Sequence, residues 1–425
     1  MKDKKATFVR CIGTNVAGGM VVAVKYILIV LVVMLLLCTV SYIGVPVYRF
    51  DRGRAFRGDR IYDPYADVVP GQWRKANFHA HQSEKPKCDY SVDRMVEAYR
   101  LNGYDVVGIA DHQKINLGGA DRPGFVPTYE HGYGLNRVHF LLLGARKVSW
   151  RDYPVMLSFS QMQFKLACLR PQAELVALNH PGQARWIDHR VYDRLRGYDL
   201  LEINPETGPE RSDVHWDAAL SAGIYSTLVA NDDAHSITER ESWFQRCFTM
   251  LNTPTLERGD LFAALKKGCA YGVYVPAEVN LRERPHAGLP RMERLGLCGD
   301  TIVLRLDRPA RSVRFVGQQG RLLSRTADSD TGRYRFAEND AYVRVVAEFA
   351  DGVTLYFNPF VRTPDGIRPE NVFVPDVDYP LTILSHSLWL ALTAGLGRLL
   401  LALCGLRGFR PYPGRVPAAV LRHQF

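Results

Sequence analysis

The sequence predicts an α/β domain whose strands end in metal-ligand residues, followed by a small all-β segment, with apolar helices on either side. Three observations lead there. From Lys75 onward, short apolar runs alternate with helical patterns, an order that pairs strands in parallel with helices outside. Four of these runs carry a His or Asp at or near the C-terminal end, where barrel-like α/β folds build their sites. After about residue 280 the chain turns to short segments rich in β-branched and aromatic residues, split by Gly, Asp and Pro.

The elements follow in order. Residues 1–25 are polar and basic, with Lys2, Lys4, Lys5, Arg10 and Lys25. Residues 26–46 are uncharged and long enough to cross a bilayer. The run exceeds a signal-peptide core and no A-x-A cleavage site follows, so it reads as an uncleaved anchor. Residues 47–73 form a linker of Arg, Asp, Gly and Pro without a period. The α/β domain occupies 74–280, and a β-rich domain 281–376 with strands at 301–306, 312–316, 332–336 and 342–349. A second apolar stretch, 381–406, is interrupted by His386 and Arg398 and fits a spanning helix and an interfacial helix equally. Residues 407–425 form a basic tail with Arg407, Arg410, Arg415 and Arg422.

The chain of 425 residues has a net charge of +10, mostly from arginine. Arg49, Arg52, Arg54, Arg57 and Arg60 lie beside an apolar segment, a membrane-flank pattern, so no nucleic-acid partner is expected. Basic residues before the first span and after the second lead to the expectation that both termini are cytoplasmic and the α/β domain lies outside. Eight dispersed cysteines without a C-x-x-C pair argue against a disulfide framework and a zinc ribbon.

Within the α/β domain, a strand over 75–81 runs into Phe78-His79-Ala80-His81. Histidines at i and i+2 of an extended segment project to one side and reach one cation together. A helix over 92–102 is stopped by Gly103. A buried strand, 105–110, ends in Asp111-His112, and a Gly- and Pro-rich loop from 113 to 134 contains Glu130. A strand over 137–144 carries His139, another over 175–179 closes on His180-Pro181-Gly182, and a third covers 198–204. The last, 225–230, runs into Asn231-Asp232-Asp233-Ala234-His235, where Asp233 and His235 repeat the spacing of the opening pair.

The candidate ligands are therefore His79, His81, Asp89, Asp111, His112, Glu130, His139, His180, Asp233 and His235. A carboxylate such as Glu130 or Asp233 can bridge two cations and offset their repulsion. Imidazoles leave a metal Lewis-acidic and favour Zn, Mn or Fe. Mixed His and carboxylate ligation without thiolates points to hydrolysis by a metal-activated water.

The order F-H-A-H, A-D-H, a lone Glu, V-H-F-L-L-L-G, L-N-H-P-G and N-D-D-A-H resembles the PHP family, the polymerase and histidinol phosphatase domain, over roughly residues 75–275. The resemblance implies a distorted (βα)7 barrel, two or three divalent metals and phosphoesterase activity. It implies His79, His81, Glu130 and Asp233 on the first metal, Glu130, His139 and His180 on the second, and His112, His235 and Asp89 on the third. Asp233, Glu130 and His180 are read as the catalytic residues. The chain departs from the family in having Ala110 where a Thr is usual, and in placing Asp89 eight residues past the H-x-H. Asp111 and Asp232, each beside a ligand and oriented oppositely, read as supports for the ligands. His131 competes with His139 for the role of ligand. Asp188-His189 reads as a solvated helix face. Arg185 reads equally as a substrate-phosphate group and a surface arginine.

The expected function is a membrane-anchored phosphoesterase acting on a phosphorylated or other ester substrate. The alternatives are a carboxylic or carbamic ester hydrolase, a protein-tyrosine phosphatase on the same site, and a non-catalytic membrane-anchored metal-binding module.

Overall fold

The computed structural model describes the chain except residues 1, 52, 83–90, 156, 186–191, 205–210, 238–242, 282–285, 372–374 and 406–425. The chain divides into two units, Met1–Val45 with Tyr379–Phe425, and Pro46–Asp378.

The first unit is built on two helices. Helix Lys2–Val40 takes in most of the basic leading segment as well as the apolar run, and helix Tyr379–Leu403 covers the second apolar stretch. Val22–Val40 and Tyr379–Leu403 are each long and apolar enough to cross a membrane. At 1.5 Å per residue the shorter spans about 28 Å, against about 30 Å of hydrocarbon. Apolar side chains such as Leu37 and Ile383 are exposed rather than packed into a core. The Tyr42 ring stacks on Trp389 at 4.5 Å between centroids, and His386 Nε2 lies 3.0 Å from the Val45 carbonyl. The end of the first helix thus meets the first part of the second, so the pair runs antiparallel.

The second unit holds two main sheets. The larger has 11 strands, and its path runs Met292–Cys298, Thr301–Gly317, Tyr342–Glu348, Thr354–Phe357, Ala270–Tyr274, Cys247–Asn252, Trp73–Asn77, Val106–Val107. The strands from Met292–Cys298 to Phe360–Thr363 therefore hydrogen-bond into the same sheet as the strand leading to His79. The smaller sheet orders Thr128–His131, Phe140–Leu143, Leu175–Leu178, Leu200–Ile203 and Thr227–Ala230. A separate two-stranded pair joins Tyr48–Arg49 to Asp376–Val377, with Arg49 Nε donating to Asp378 Oδ2 at 2.9 Å.

The expected barrel is not formed: neither sheet closes on itself. A (βα) barrel needs each strand parallel to the next across a helical crossover. Here Thr128–His131, Phe140–Leu143 and Leu175–Leu178 pair antiparallel in succession, as do Trp73–Asn77, Cys247–Asn252 and Ala270–Tyr274. Among the described residues, parallel ladders are confined to three short pairs. Around the junction of the two sheets, the isolated β-bridges among the described residues are Ala80 to Ala234, Val107 to Phe125 and His112 to Glu130.

Local sequence explains several elements well. Helix Val92–Leu101 starts at Ser91, whose hydroxyl accepts the Arg94 N–H, buries Met95, Val96 and Tyr99, and stops before Gly103 at φ +77°. The β-rich segment differs from expectation in having two long strands, Thr301–Gly317 and Arg321–Arg335. The first runs through Asp307-Arg308-Pro309 because the pairing register shifts between Arg305 and Ala310. A bulge there accommodates a proline that cannot donate to the ladder.

Candidate metal centre

The ligand-bearing segments sit at strand ends that are tied to one another. After strand Trp73–Asn77, the Phe78 N–H donates to Asn231 Oδ1 at 2.8 Å, and the His81 N–H to Ala234 O at 2.9 Å. The Asp233 N–H returns to His79 O at 3.0 Å. The two i, i+2 motifs are thereby zipped side by side. Asp233 adopts φ +51°, a left-handed conformation costly for a non-glycine residue and held here by this pairing. Gly108 lets the neighbouring strand close in, since a Cβ there would stand 3.1 Å from the Phe78 carbonyl oxygen. Gly132 does the same for His139, whose Cδ2 would lie 2.2 Å from such a Cβ.

Glu130 is the hub of the cluster. Its Oε1 lies 2.9 Å from His139 Nδ1 and 2.9 Å from His180 Nε2, and accepts from Asn179 Nδ2 at 3.1 Å. Its Oε2 lies 3.3 Å from His79 Nε2, 3.2 Å from His81 Nε2 and 3.3 Å from His112 Nδ1. Asp233 Oδ1 stands 3.3 Å from His79 Nε2, 3.0 Å from His81 Nε2 and 3.6 Å from His235 Nε2. His79, His81, Glu130 and Asp233 are buried and form one group able to hold a metal ion; His112, Glu130 and His139 form another.

The donor set fits divalent cations. Asp233 Oδ1 and His112 Nδ1 are buried without a hydrogen-bond partner, although nitrogen and oxygen ligand atoms crowd around both. Nitrogen and carboxylate oxygen in this mixture suit Zn, Mn or Fe. The side chains of His79 and His81 are at most 1% exposed, against 35% for His112 and 52% for His235. The cluster therefore opens on the side of His112 and His235.

Charge in the cluster is strongly shifted. Burial opposes a charged His81, yet the Asp233 and Glu130 carboxylates beside it carry the imidazole up to about 9. Burial likewise opposes a charged Glu130, but His79 and His139 hold the carboxyl well below its ordinary range. A cation entering the site must therefore displace protons, and its affinity should fall as pH falls.

A supporting layer surrounds the ligands. Glu202 Oε1 lies 2.8 Å from His79 Nδ1 and accepts from Asn231 Nδ2 at 2.9 Å, while Oε2 accepts the His180 N–H at 2.7 Å. This fixes the His79 ring and turns Nε2 toward the cluster. Sequence reasoning missed Glu202, although a lone carboxylate inside the buried run Leu200–Ile203 is a signal in itself. Asp232 accepts from Tyr99 Oη at 2.8 Å and Asn77 Nδ2 at 2.9 Å, and burial pushes its carboxyl up to about 7. Asp111 accepts the Gln82 N–H at 2.7 Å and Asn116 Nδ2 at 2.9 Å, and stays 3.9 Å from His81 Nδ1.

His131 lies apart from the cluster. Its Nδ1 is 3.1 Å from Gln113 Oε1, and burial together with Lys165 pushes the imidazole down to about 3. Arg185 is exposed, with its backbone N–H on Asn136 O at 2.8 Å. Asp89 and the Asp188-His189 dipeptide lie outside the described residues.

No family model and no curated protein matches the chain. Among solved structures, a two-domain protein containing a predicted PHP-like metal-dependent phosphoesterase from Bacteroides vulgatus is similar over 73% of this chain and 99% of its own, at 14% identity and a TM-score of 0.37.

Proposed function

We propose that the chain is a membrane-anchored, PHP-like metal-dependent phosphoesterase. The observation that carries this reading is the double use of Glu130, whose two oxygens face separate sets of imidazoles. Such a carboxylate suits two adjacent cations. When bound, paired divalent cations would supply Lewis acidity to both the attacking and the leaving oxygen of a phosphoryl group. In this reading His79, His81 and Asp233 hold one position and His139 and His180 the other. His112 and His235, on the open side, stand nearest the substrate, with Asp89 as a further ligand. Asp233, Glu130 and His180 carry the negative charge and orientation on which turnover depends. Arg185 is proposed to receive a substrate phosphate.

The test is a panel of phosphomonoesters, phosphodiesters and carboxylic esters offered to the purified full chain with Mn or Zn. Turnover of phosphoesters that disappears with a chelator and returns with metal is expected. Full metal occupancy without hydrolysis of any ester would instead support a non-catalytic metal-binding module.

The antiparallel pairing of Lys2–Val40 with Tyr379–Leu403 and the basic residues at both helix flanks support a second element of the proposal. Both helices span the membrane, both termini are cytoplasmic and Pro46–Asp378 is extracytoplasmic. An impermeant protease given to cells with an opened outer layer should then degrade the Pro46–Asp378 portion. Its survival under those conditions would reverse the orientation.

A further inference from the structure

A cavity of about 1090 Å³ lies between helix Ser212–Ser221 and one face of the large sheet. Strand pairing sets Arg314 opposite Val346 and Val316 opposite Arg344. All four line the cavity, as the alternation of side chains along strands allows. The helix contributes Asp213 and Asp217, one turn apart and on one face. Among the described residues, none of the proposed metal ligands lines this space.

The two helix carboxylates are already taken. Asp217 receives Arg344 Nε on Oδ1 at 2.7 Å and Nη2 on Oδ2 at 2.6 Å, with Tyr342 Oη also on Oδ1 at 2.8 Å. Asp213 receives both Nε and Nη2 of Arg211, at 3.0 and 3.1 Å, and Arg344 Nη2 at 3.2 Å. The guanidiniums are not used up. Arg344 is 2% exposed, and its Nη1 is buried without a partner; so is Arg314 Nε. The only ion-pair contact between Arg314 and a described residue is with Glu348, at 3.8 Å. Of the other charged lining residues, Arg194 pairs with Asp193 at 3.3 Å and Asp51 is exposed.

Arg314 and Arg344 are diagonal neighbours on adjacent strands, a spacing of about 7–8 Å that one oxoanion can bridge. Beside them Val316 and Val346 offer apolar wall. We propose that this cavity is a second ligand site, separate from the metal cluster, for a small molecule joining an oxoanion such as phosphate or phosphonate to an apolar group. The arginine N–H groups receive the oxoanion oxygens and the valines receive the apolar part.

The experiment uses the full-length chain in detergent, stripped of metal by chelator, and titrates it calorimetrically with inorganic phosphate and with phenylphosphonate. One equivalent of each should bind, with phenylphosphonate about tenfold tighter through its buried ring. Arg314→Gln, at a half-buried position, should keep the parent melting temperature and weaken both ligands at least about fivefold. Asp233→Asn should bind both as the parent does. Absence of binding to the parent, or equal binding by Arg314→Gln, overturns the proposal. Tighter binding in Asp233→Asn, which removes a negative charge from among the imidazoles, also overturns it, by placing the anion in the metal cluster.

Discussion

Glu130→Gln is expected to empty both metal positions and to lower phosphoester turnover by about 10²–10³-fold, the scale seen when a charge-stabilising group is lost. The substitution preserves shape but removes a charge. It also points an amide N–H at imidazoles that approach both oxygens within 2.9–3.3 Å. Asp233→Asn differs in a way the geometry dictates. Asp233 Oδ1 meets His79, His81 and His235 but not His139 or His180, so this variant should lose one metal and keep the other. Metal stoichiometry measured beside turnover separates the two. Equal metal content in both variants would remove the case for Glu130 as the shared ligand.

Lys165→Met is expected to destabilise the chain by about 3–5 kcal/mol at neutral pH, since it strands a buried carboxylate. Lys165 and Asp152 are each 1% exposed and paired at 2.8 Å, and Nζ also donates to Val138 O at 3.0 Å. Asp152 in turn accepts the Tyr133 and Gly134 N–H groups. The pair therefore pins both ends of the loop between Glu130 and His139. In the parent, Lys165 overcomes burial and holds the Asp152 carboxyl down at about 2. Because the folded value lies below the unfolded value of about 3.9, its stabilisation is present above pH 4 and lost as pH falls toward 2. Without Lys165 the carboxyl moves up, so the deficit should already be present at pH 4, where the parent's stabilisation is still largely in place, and widen further toward neutrality. Urea midpoints at pH 4 and 7 measure this. A deficit independent of pH would show that lost packing, rather than the stranded charge, is responsible.

What could be read from the sequence was local. His79 with His81, and Asp233 with His235, are two residues apart, and such spacing survives whatever the sheet does. Ser91 and Gly103 mark their helix because capping depends on a few neighbouring residues. Closure of the sheet depends on strand direction, which no run of residues displays. The apolar run at Leu175–Leu178 pairs antiparallel on one side and parallel on the other, and its composition suits both. His131 and His139 were ambiguous for a related reason. Both follow Glu130 in sequence, but only the pairing of Thr128–His131 with Phe140–Leu143 decides which ring meets its carboxylate. Glu202 was overlooked because strand prediction weights apolar runs and passes over the one residue whose burial needs a reason.

The pairing of Tyr48–Arg49 with Asp376–Val377 has a consequence for timing during synthesis. Arg49 and Asp378 are separated by 329 positions. At about 5–20 residues per second, a ribosome needs roughly 15–65 s between making the two. The strand Arg60–Tyr62 waits almost as long for Phe360–Thr363, and helix Lys2–Val40 waits longer still for Tyr379–Leu403. Throughout that interval the nascent chain carries an open sheet margin and a lone apolar helix, the surfaces most prone to association with other chains. Early insertion of the first helix would shelter one of them, and the sheet margin is where a slowed ribosome should first produce aggregates.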